Sequence, residues 1–444
     1  MSAPRALLVT LLLSGCRHDP VRDAPLTSRE QAQVYLQRNE PAKAIPLLEA
    51  LHAQKPDDLD LARALAEAYV KDHRAQALID RLTPPPHTAV AHYMRALAYF
   101  SRAADASGPA LESFQAAIAL APNEAELHYR LGVALVECER YQPALAPLRR
   151  ARKLAPERTA YALPLAKALH RTGDVKGAIE AVRVALSGTP SPAEVQLSVA
   201  LMQNIADPFA AVPAAVRQRL EAGLEDLHER DLPQQAIVTF EEIALEYPDL
   251  AVVHALLGLA YQRLDDAGRA AYELRRAIEL APLDGKNHLY LAQLYLSRQQ
   301  PKPAAEHFAA ALAHDPTLGD AHFQLGDLAL DKGDLEAAER HFRAATFLEP
   351  QGIPPKGKLA LVYQLQGNWP AADHTLKAVL AQAPEAVEFK LRLGVLHTER
   401  YKKSALPAER RQAAEEAARW LEEVLAVQPE NALASRALES VKAR

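Results

Sequence analysis

The sequence predicts an all-α array of helical hairpins, and three observations support that prediction. At 444 residues the chain is two or three times the usual domain length, so it forms several domains or one extended array. It contains 32 prolines and only 17 glycines, the reverse of the roughly 5% Pro and 7% Gly of soluble proteins. The prolines also recur at a fixed interval, which indicates regularly placed helix ends.

Eight prolines fall into two registers with a spacing of 34 residues. They are Pro122, Pro156 and Pro190, then Pro248, Pro282, Pro316, Pro350 and Pro384. An alanine stands twelve residues before each of them, and a large apolar residue such as Phe308 or Phe342 usually stands eight residues before. Shared columns of this kind are typical of a structural repeat.

Each 34-residue window contains two amphipathic stretches with apolar residues at i, i+3, i+4 and i+7. A short break separates them, as at Gly173-Asp174, Gly333-Asp334 and Gly367-Asn368. Glycine is suited to leave the first helix, and Asp or Asn is suited to cap the second. Small residues in the glycine and alanine columns would let the two helices approach closely.

This pattern resembles the tetratricopeptide repeat, a helix-turn-helix hairpin. The resemblance covers most of residues 24–444 and implies a right-handed superhelical solenoid of about 10–12 repeats. It also implies a concave groove, lined by the first helix of each hairpin, that takes a peptide or a partner helix. The register breaks near residues 191–216, where Asp207-Pro208 and Pro213 interrupt the pattern.

The resulting organisation has eight segments. They are a signal peptide at 1–15, a tether at 16–26, N-terminal hairpins at 27–90, a first repeat block at 91–192, an irregular joint at 193–216, a second block at 217–386, a repeat at 387–431 with an insertion near 402–412, and a polar capping helix at 432–444.

The first residues resemble a bacterial lipoprotein signal. Arg5 precedes the apolar stretch Ala6 to Leu13, which is too short to span a bilayer. Leu13-Ser14-Gly15-Cys16 then resembles a lipobox, which implies a lipidated Cys16 and a permanent membrane anchor. Arg17 follows Cys16 instead of Asp, which in this resemblance favours the outer membrane. The alternative is a leucine-rich N-terminus with a chance cysteine.

Nine residues are expected to face the partner groove, from their spacing to the Leu-Gly columns of the first helices. They are Arg95, Tyr99, Tyr129, Arg130, Tyr290, Gln293, Phe323, Gln324 and Asp327. Tyrosine and arginine are enriched at binding hot spots. The alternative for each residue is that it only packs between hairpins.

Charge is divided unevenly along the array. Residues 91–192 carry 13 Lys and Arg against 9 Asp and Glu, whereas residues 217–352 carry 13 against 23. The acidic half is either a solvated outer surface or a field that steers a basic partner into the groove.

Several other functions are disfavoured by the sequence. The formal charge of −5 argues against a nucleic-acid binder. GxSxG, GxxxxGK[ST], GxGxxG, HExxH and CxxCH are all absent, and the repeats leave no segment for a catalytic domain. His128, His254, His288 and His322 recur in one column, but residues one hairpin apart cannot readily converge on a metal.

We therefore expect a non-catalytic scaffold without metal or cofactor, anchored to the bacterial cell envelope and binding a protein or peptide in its groove. Two alternatives remain open. One is a glycan-binding accessory subunit, with which Tyr290, Gln293 and Gln324 are compatible. The other is a cytoplasmic adaptor, if the lipobox is not used.

Overall fold

A computed structural model describes residues 27–82, 87–102, 107–205, 207, 209 and 212–442. The described residues form helices and no strand, so the fold is all-α as predicted. Two compact units divide the chain between Arg158 and Thr159. This boundary lies inside the predicted block 91–192. Cys16, the signal peptide and the tether lie outside the described residues.

The described residues of the first unit form four helix pairs. Their helices are α1 (Ser28–Gln37), α2 (Pro41–Gln54), α3 (Leu59–Lys71), α4 (Ala75–Arg81), α5 (Ala89–Phe100), α6 (Ser107–Leu120), α7 (Ala125–Glu137) and α8 (Tyr141–Leu154).

The second unit opens with a short 3₁₀ turn at Thr159–Tyr161 and continues with sixteen α-helices in the described residues. They are α9 (Ala162–Arg171), α10 (Val175–Leu186), α11 (Pro192–Ile205), α12 (Ala214–His228), α13 (Pro233–Glu246), α14 (Ala251–Arg263), α15 (Ala267–Leu280), α16 (Gly285–Ser297), α17 (Pro301–His314), α18 (Gly319–Asp331), α19 (Leu335–Leu348), α20 (Ile353–Leu365), α21 (Trp369–Gln382), α22 (Val387–Lys403), α23 (Pro407–Val427) and α24 (Ala432–Lys442).

The predicted columns form the core. The alanines twelve residues before the repeat prolines are fully buried, as are the aromatic and aliphatic side chains eight residues before them, from Phe114 to Leu376. Within each unit, second helices pack on their own first helix and on the first helix of the next hairpin, as α6 packs on α5 and α7 and as α15 packs on α14 and α16. The buried residues therefore form a succession of local clusters along the array, as expected for a solenoid.

The glycine column permits the close approach that the sequence predicts. A Cβ added at Gly258 would lie 2.5 Å from Leu274 Cγ, and one at Gly326 would lie 2.7 Å from Phe342 Cε1. Glycine at these positions lets the large side chain of the second helix reach the backbone of the first.

The intrahairpin turns also have the predicted form, with one addition. Gly173, Gly333 and Gly367 have positive φ angles, and the side chains of Asp174, Asp334 and Asn368 cap the helices that follow. At other hairpins a residue with a Cβ takes the same left-handed conformation, as at Glu139, Asp265 and Gln299.

The final hairpin is longer than the others. Helix α22 has 17 residues and α23 has 21, whereas the other described α-helices of the second unit have 10 to 15. The segment near 402–412 forms the end of α22, a short turn and the start of α23. The segment 193–216 includes α11 and the start of α12.

Candidate functional site

In the first unit, polar contacts join the first helices of neighbouring hairpins. Tyr93 of α5 donates a hydrogen bond to the Glu126 carboxylate of α7 at 3.2 Å. Arg130 Nε lies 2.7 Å from Glu126, and Arg158 lies 3.5 Å from it. Burial alone would lower the pKa of Arg130, but the adjacent Tyr93 and Glu126 raise it. Glu126 is thus the acidic group that Tyr93, Arg130 and Arg158 share on this surface.

The four groove residues predicted in the first unit differ in their surroundings. All are half-buried: Arg95 and Tyr99 in α5, Tyr129 and Arg130 in α7. Arg95 donates to the Ser113 hydroxyl of α6 at 3.2 Å, so it faces the second helix of its own hairpin. Arg130 lies over the Tyr129 ring, 5.5 Å from its centroid, in a cation–π contact.

In the second unit, comparable contacts join α18, α20 and α22. Lys358 Nζ lies 2.7 Å from an Asp327 carboxylate oxygen, and Arg392 donates to the Gly357 carbonyl at 3.2 Å. We call the first helices α16, α18, α20 and α22 the first-helix row. Its surface carries the predicted groove residues of this unit.

The five groove residues predicted in the second unit are also half-buried: Tyr290 and Gln293 in α16, and Phe323, Gln324 and Asp327 in α18. Phe323 packs edge-on against Phe342 with ring centroids 5.8 Å apart, so it is part of its hairpin core. Burial raises the pKa of Tyr290, which packs on the neighbouring core cluster.

Gln293 and Gln324 are groove residues of this unit with unused polar groups, as is Tyr290, whose hydroxyl has no hydrogen-bond partner among the described residues. Among the described residues, neither side-chain amide has a hydrogen-bond partner. Each amide can donate two hydrogen bonds and accept two. Together they place donors and acceptors on adjacent members of the first-helix row, which suits recognition of another amide.

The histidine column has a structural role that its repeat spacing did not predict. His128, His254 and His322 each hydrogen-bond through Nε2 to the carbonyl of the repeat proline six residues earlier, at 2.9–3.4 Å. Because a carbonyl only accepts, Nε2 must carry hydrogen in each of these bonds. These histidines therefore hold the turn between consecutive hairpins.

In His254 and His322 the other ring nitrogen contacts the residue 19 positions later, in the second helix. His254 Nδ1 lies 2.6 Å from Glu273, and this carboxylate raises the pKa of His254. His322 Nδ1 lies 3.1 Å from His341 Nδ1. Burial and the neighbouring His341 lower the pKa of His322 to about 4, so the pair shares a hydrogen bond between neutral rings.

The described residues contain neither a candidate metal site nor a candidate membrane span. No group of three or more His, Cys, Asp or Glu side chains there is arranged to hold a metal ion. No described helix combines the length and apolar composition that a membrane span needs. Cys138 is a free thiol at the end of α7.

Comparison with known proteins supports the class of repeat. A sequence model of the tetratricopeptide repeat matches residues 108–158, 136–193, 289–353 and 358–419. The chain therefore contains tetratricopeptide repeats, and its fold is an all-α tetratricopeptide-repeat fold. Proteins built from these repeats are generally scaffolds for protein interactions. None of the curated proteins matches the chain by sequence.

Solved structures are similar to parts of the fold. YrrB, described as "a TPR protein with an unusual peptide-binding site", has 19% identity and a TM-score of 0.39 over 45% of this chain and 96% of its own. PilW, described as a "widely conserved type IV pilus biogenesis factor", has 18% identity and a TM-score of 0.39 over 51% and 100%. The Cut9-Hcn1 hetero-tetramer of the APC/C has 18% identity and a TM-score of 0.38 over 93% and 89%.

Proposed function

We propose that this chain is a non-catalytic scaffold that binds a protein or peptide along its first-helix row. The half-buried, unpartnered amides of Gln293 and Gln324 are the observation that supports this most directly. An extended peptide supplies both N–H and C=O groups, which can pair with the donors and acceptors of these two amides. Binding would therefore use groups that the fold itself leaves free.

Photo-crosslinking in cells tests this proposal. A photoreactive residue is placed at Gln293 or Gln324, with Gln234, exposed on the second helix α13, as a matched control. We expect both first-helix positions to capture the same protein, identified by mass spectrometry, and Gln234 not to capture it. Identical products at all three positions would contradict a groove. Capture of polysaccharide without a reproducible protein would favour the glycan-binding alternative.

We further propose that lipidated Cys16 anchors the scaffold to the cell envelope, on the periplasmic face of the outer membrane. The support is the Leu13-Ser14-Gly15-Cys16 sequence after a short apolar stretch. The chain has a second cysteine, Cys138, which provides a matched control. Cells producing wild type, Cys16→Ala and Cys138→Ala are labelled with radioactive palmitate and fractionated.

We expect label and membrane association in wild type and Cys138→Ala, and neither in Cys16→Ala. Separation of inner and outer membranes on a density gradient then locates the anchored protein. A wild type that is soluble, unlabelled and uncleaved would overturn the anchor and favour the cytoplasmic adaptor.

The acidic segment 217–352 is proposed to speed association with a basic partner. Reversing exposed acidic residues such as Glu221, Glu306 and Asp320 should slow association with the captured partner at low salt. The effect should shrink at high salt, because screening shortens the range of the field. An association rate that is unchanged at low salt would leave these residues as a solvated surface only.

A further inference from the structure

A cavity of about 360 Å³ lies inside the second unit. One side is formed by the end of α10 and the segment that follows, with Arg183, Leu186 and Pro190. The other side is formed mainly by α19, with Arg340 and Phe347. Its volume is within the range of small-molecule sites, roughly 300–1,000 Å³.

The cavity exists because two distant parts of the second unit touch. Arg183 of α10 donates through one guanidinium nitrogen to the carbonyls of Leu312 and Ala313, at 3.3 and 2.9 Å. These carbonyls end α17, where the backbone has no helical partner for them. Helix α11 also contacts α19. The two walls are therefore held by direct contacts outside the repeat-to-repeat packing.

The inner walls are mostly apolar. Leu186 and Pro190 line one side, and Leu312, Phe347 and Leu348 line the other. An apolar group that enters this space would leave water and contact apolar carbon on both sides, which is favourable. A hydrocarbon chain or a flat apolar ring would suit the walls.

The polar part of the lining is positively charged. Arg183, Arg340 and Arg343 line the cavity, and none of the lining residues is acidic. Arg183 and Arg343 each have a carboxylate from their own helix, Glu180 at 2.5 Å and Glu339 at 3.7 Å.

Arg340 differs from the other two arginines. Among the described residues it has no acidic partner. His322 and His341 also line the cavity, and burial keeps both neutral near pH 7 because it lowers their pKa. The lining thus combines apolar walls with an uncompensated guanidinium at the edge.

We propose that this cavity binds a small amphiphilic anion, with its apolar part between α10 and α19 and its carboxylate or phosphate on Arg340. Arginine presents a planar set of donors that matches either head group. The occupant would contact both walls and so stabilise the docking of α10 on α17 and α19. Because the cavity exists only in the folded protein, the bound ligand would also raise the unfolding temperature.

Calorimetric titration of the purified full chain tests this proposal. The probes are decanoate, decyl phosphate, decanol and decyltrimethylammonium, below their micelle concentrations and without detergent. We expect one site for an anionic probe, weaker binding of the alcohol and none of the cation. The tighter of decanoate and decyl phosphate identifies the head group that the cavity prefers.

Three variants locate the binding. Arg340 is exposed, so Arg340→Glu should fold normally while weakening the binding of the anion by about tenfold or more. Ala344→Trp should fill the cavity and abolish binding. Arg436→Glu, at an exposed arginine of α24 outside the cavity, should bind as wild type does. Circular dichroism reports whether each variant is folded.

Three results would overturn the proposal. One is the failure of both anions to bind the wild type. Another is an affinity that Arg340→Glu leaves unchanged. The third is binding of a peptide with an apolar C-terminal residue where decanoate does not bind, which would make the cavity a peptide site. None of these results bears on Gln293 and Gln324, so the proposed scaffold function is tested separately.

Discussion

The turn inside each hairpin requires one residue in the left-handed conformation. Gly333 takes it with φ of 75°, and Gln299 takes it in the preceding hairpin with φ of 57°. A Cβ added at Gly333 would meet no atom within 4 Å. Any cost of Gly333→Ala therefore comes from holding a residue with a Cβ in the left-handed conformation, which costs about 1–2 kcal/mol. Part of this cost is offset, because alanine loses less conformational entropy on folding than glycine does.

We expect Gly333→Ala to lower the free energy of unfolding by about 1 kcal/mol and Gln299→Gly to raise it by a few tenths. Urea denaturation followed by circular dichroism measures both. Opposite signs are the expected result, because the two substitutions are reciprocal at equivalent positions. Equal signs would show that local contacts, rather than φ, determine stability at this turn.

The buried histidines make stability depend on pH. Burial lowers the pKa of both His288 and His322 to about 4, from an ordinary value near 6.5. The unfolded chain therefore binds more protons than the folded chain between these values. The stability that these residues contribute is full above pH 6.5 and is lost as pH falls towards 4. His254 acts in the opposite direction, because Glu273 raises its pKa.

A double variant separates the pH dependence of stability that comes from these two histidines from the pH dependence that comes from the carboxylates. His288→Gln with His322→Gln keeps a polar group at each position but removes its titration. We expect the wild type to lose more stability than the double variant between pH 7.5 and pH 5, as measured by urea denaturation. His374→Gln, at an exposed histidine of α21, should follow the wild type at both pH values. If all three proteins lost the same stability between the two pH values, His288 and His322 would not be the cause of the pH dependence.

At the scale of the helical pair, two glycines of one hairpin give contrasting predictions. Gly258 of α14 faces Leu274 and the Ala270 carbonyl, whereas Gly268 of α15 is exposed with only Asp266 within 4 Å. We expect Gly258→Ala to destabilise the protein by about 1–3 kcal/mol, because the helices must separate. Gly268→Ala should stabilise it by a few tenths of a kcal/mol through helix propensity, because Gly268 lies in the first turn of α15.

Thermal denaturation of both variants measures this contrast, and hydrogen exchange shows where the change occurs. We expect loss of protection in α14 and α15 of Gly258→Ala, since each hairpin contacts mainly its neighbours. Equal effects of the two substitutions would mean that close approach of the helices does not limit stability at Gly258.

The repeated hairpins could be predicted from the sequence, because a residue pattern that is weak evidence in one window becomes strong evidence when it recurs in eight. Prolines, alanines and large apolar residues in register gave the hairpins and their buried face, including Phe308 and Phe342. The pairing of His322 with His341 was missed, because it crosses an intrahairpin turn at a spacing of 19 residues that no helical period contains. Of the expected groove residues, Phe323 packs on Phe342 and Arg95 donates to Ser113, each within its own hairpin, while the binding of a partner by any of the nine stays a prediction.

At the scale of the whole molecule, the least predictable feature is the contact of α10 with α17. Arg183 lies 130 residues from Ala313, and nothing periodic in the sequence relates them. Solenoids are held together mainly by contacts between neighbouring repeats. The contact of α10 with α17 closes a long loop within the second unit, and it therefore adds a restraint that the repeat pattern does not contain. The entropic cost of closing such a loop grows only slowly with the length of the loop.

Removing the Arg183 guanidinium should release this restraint while leaving the hairpins intact. In Arg183→Gln the Leu312 and Ala313 carbonyls lose a charged donor, and we expect faster hydrogen exchange at the end of α17 and in α10. The unfolding midpoint should fall only slightly, because the side chain is largely exposed and surface interactions contribute about 1 kcal/mol or less. Arg149→Gln, at an exposed arginine of α8, provides the matched control and should change neither quantity. Unchanged exchange in Arg183→Gln would mean that α10 is held by the apolar contacts around Leu186, in which case Leu186→Ser should produce the faster exchange instead.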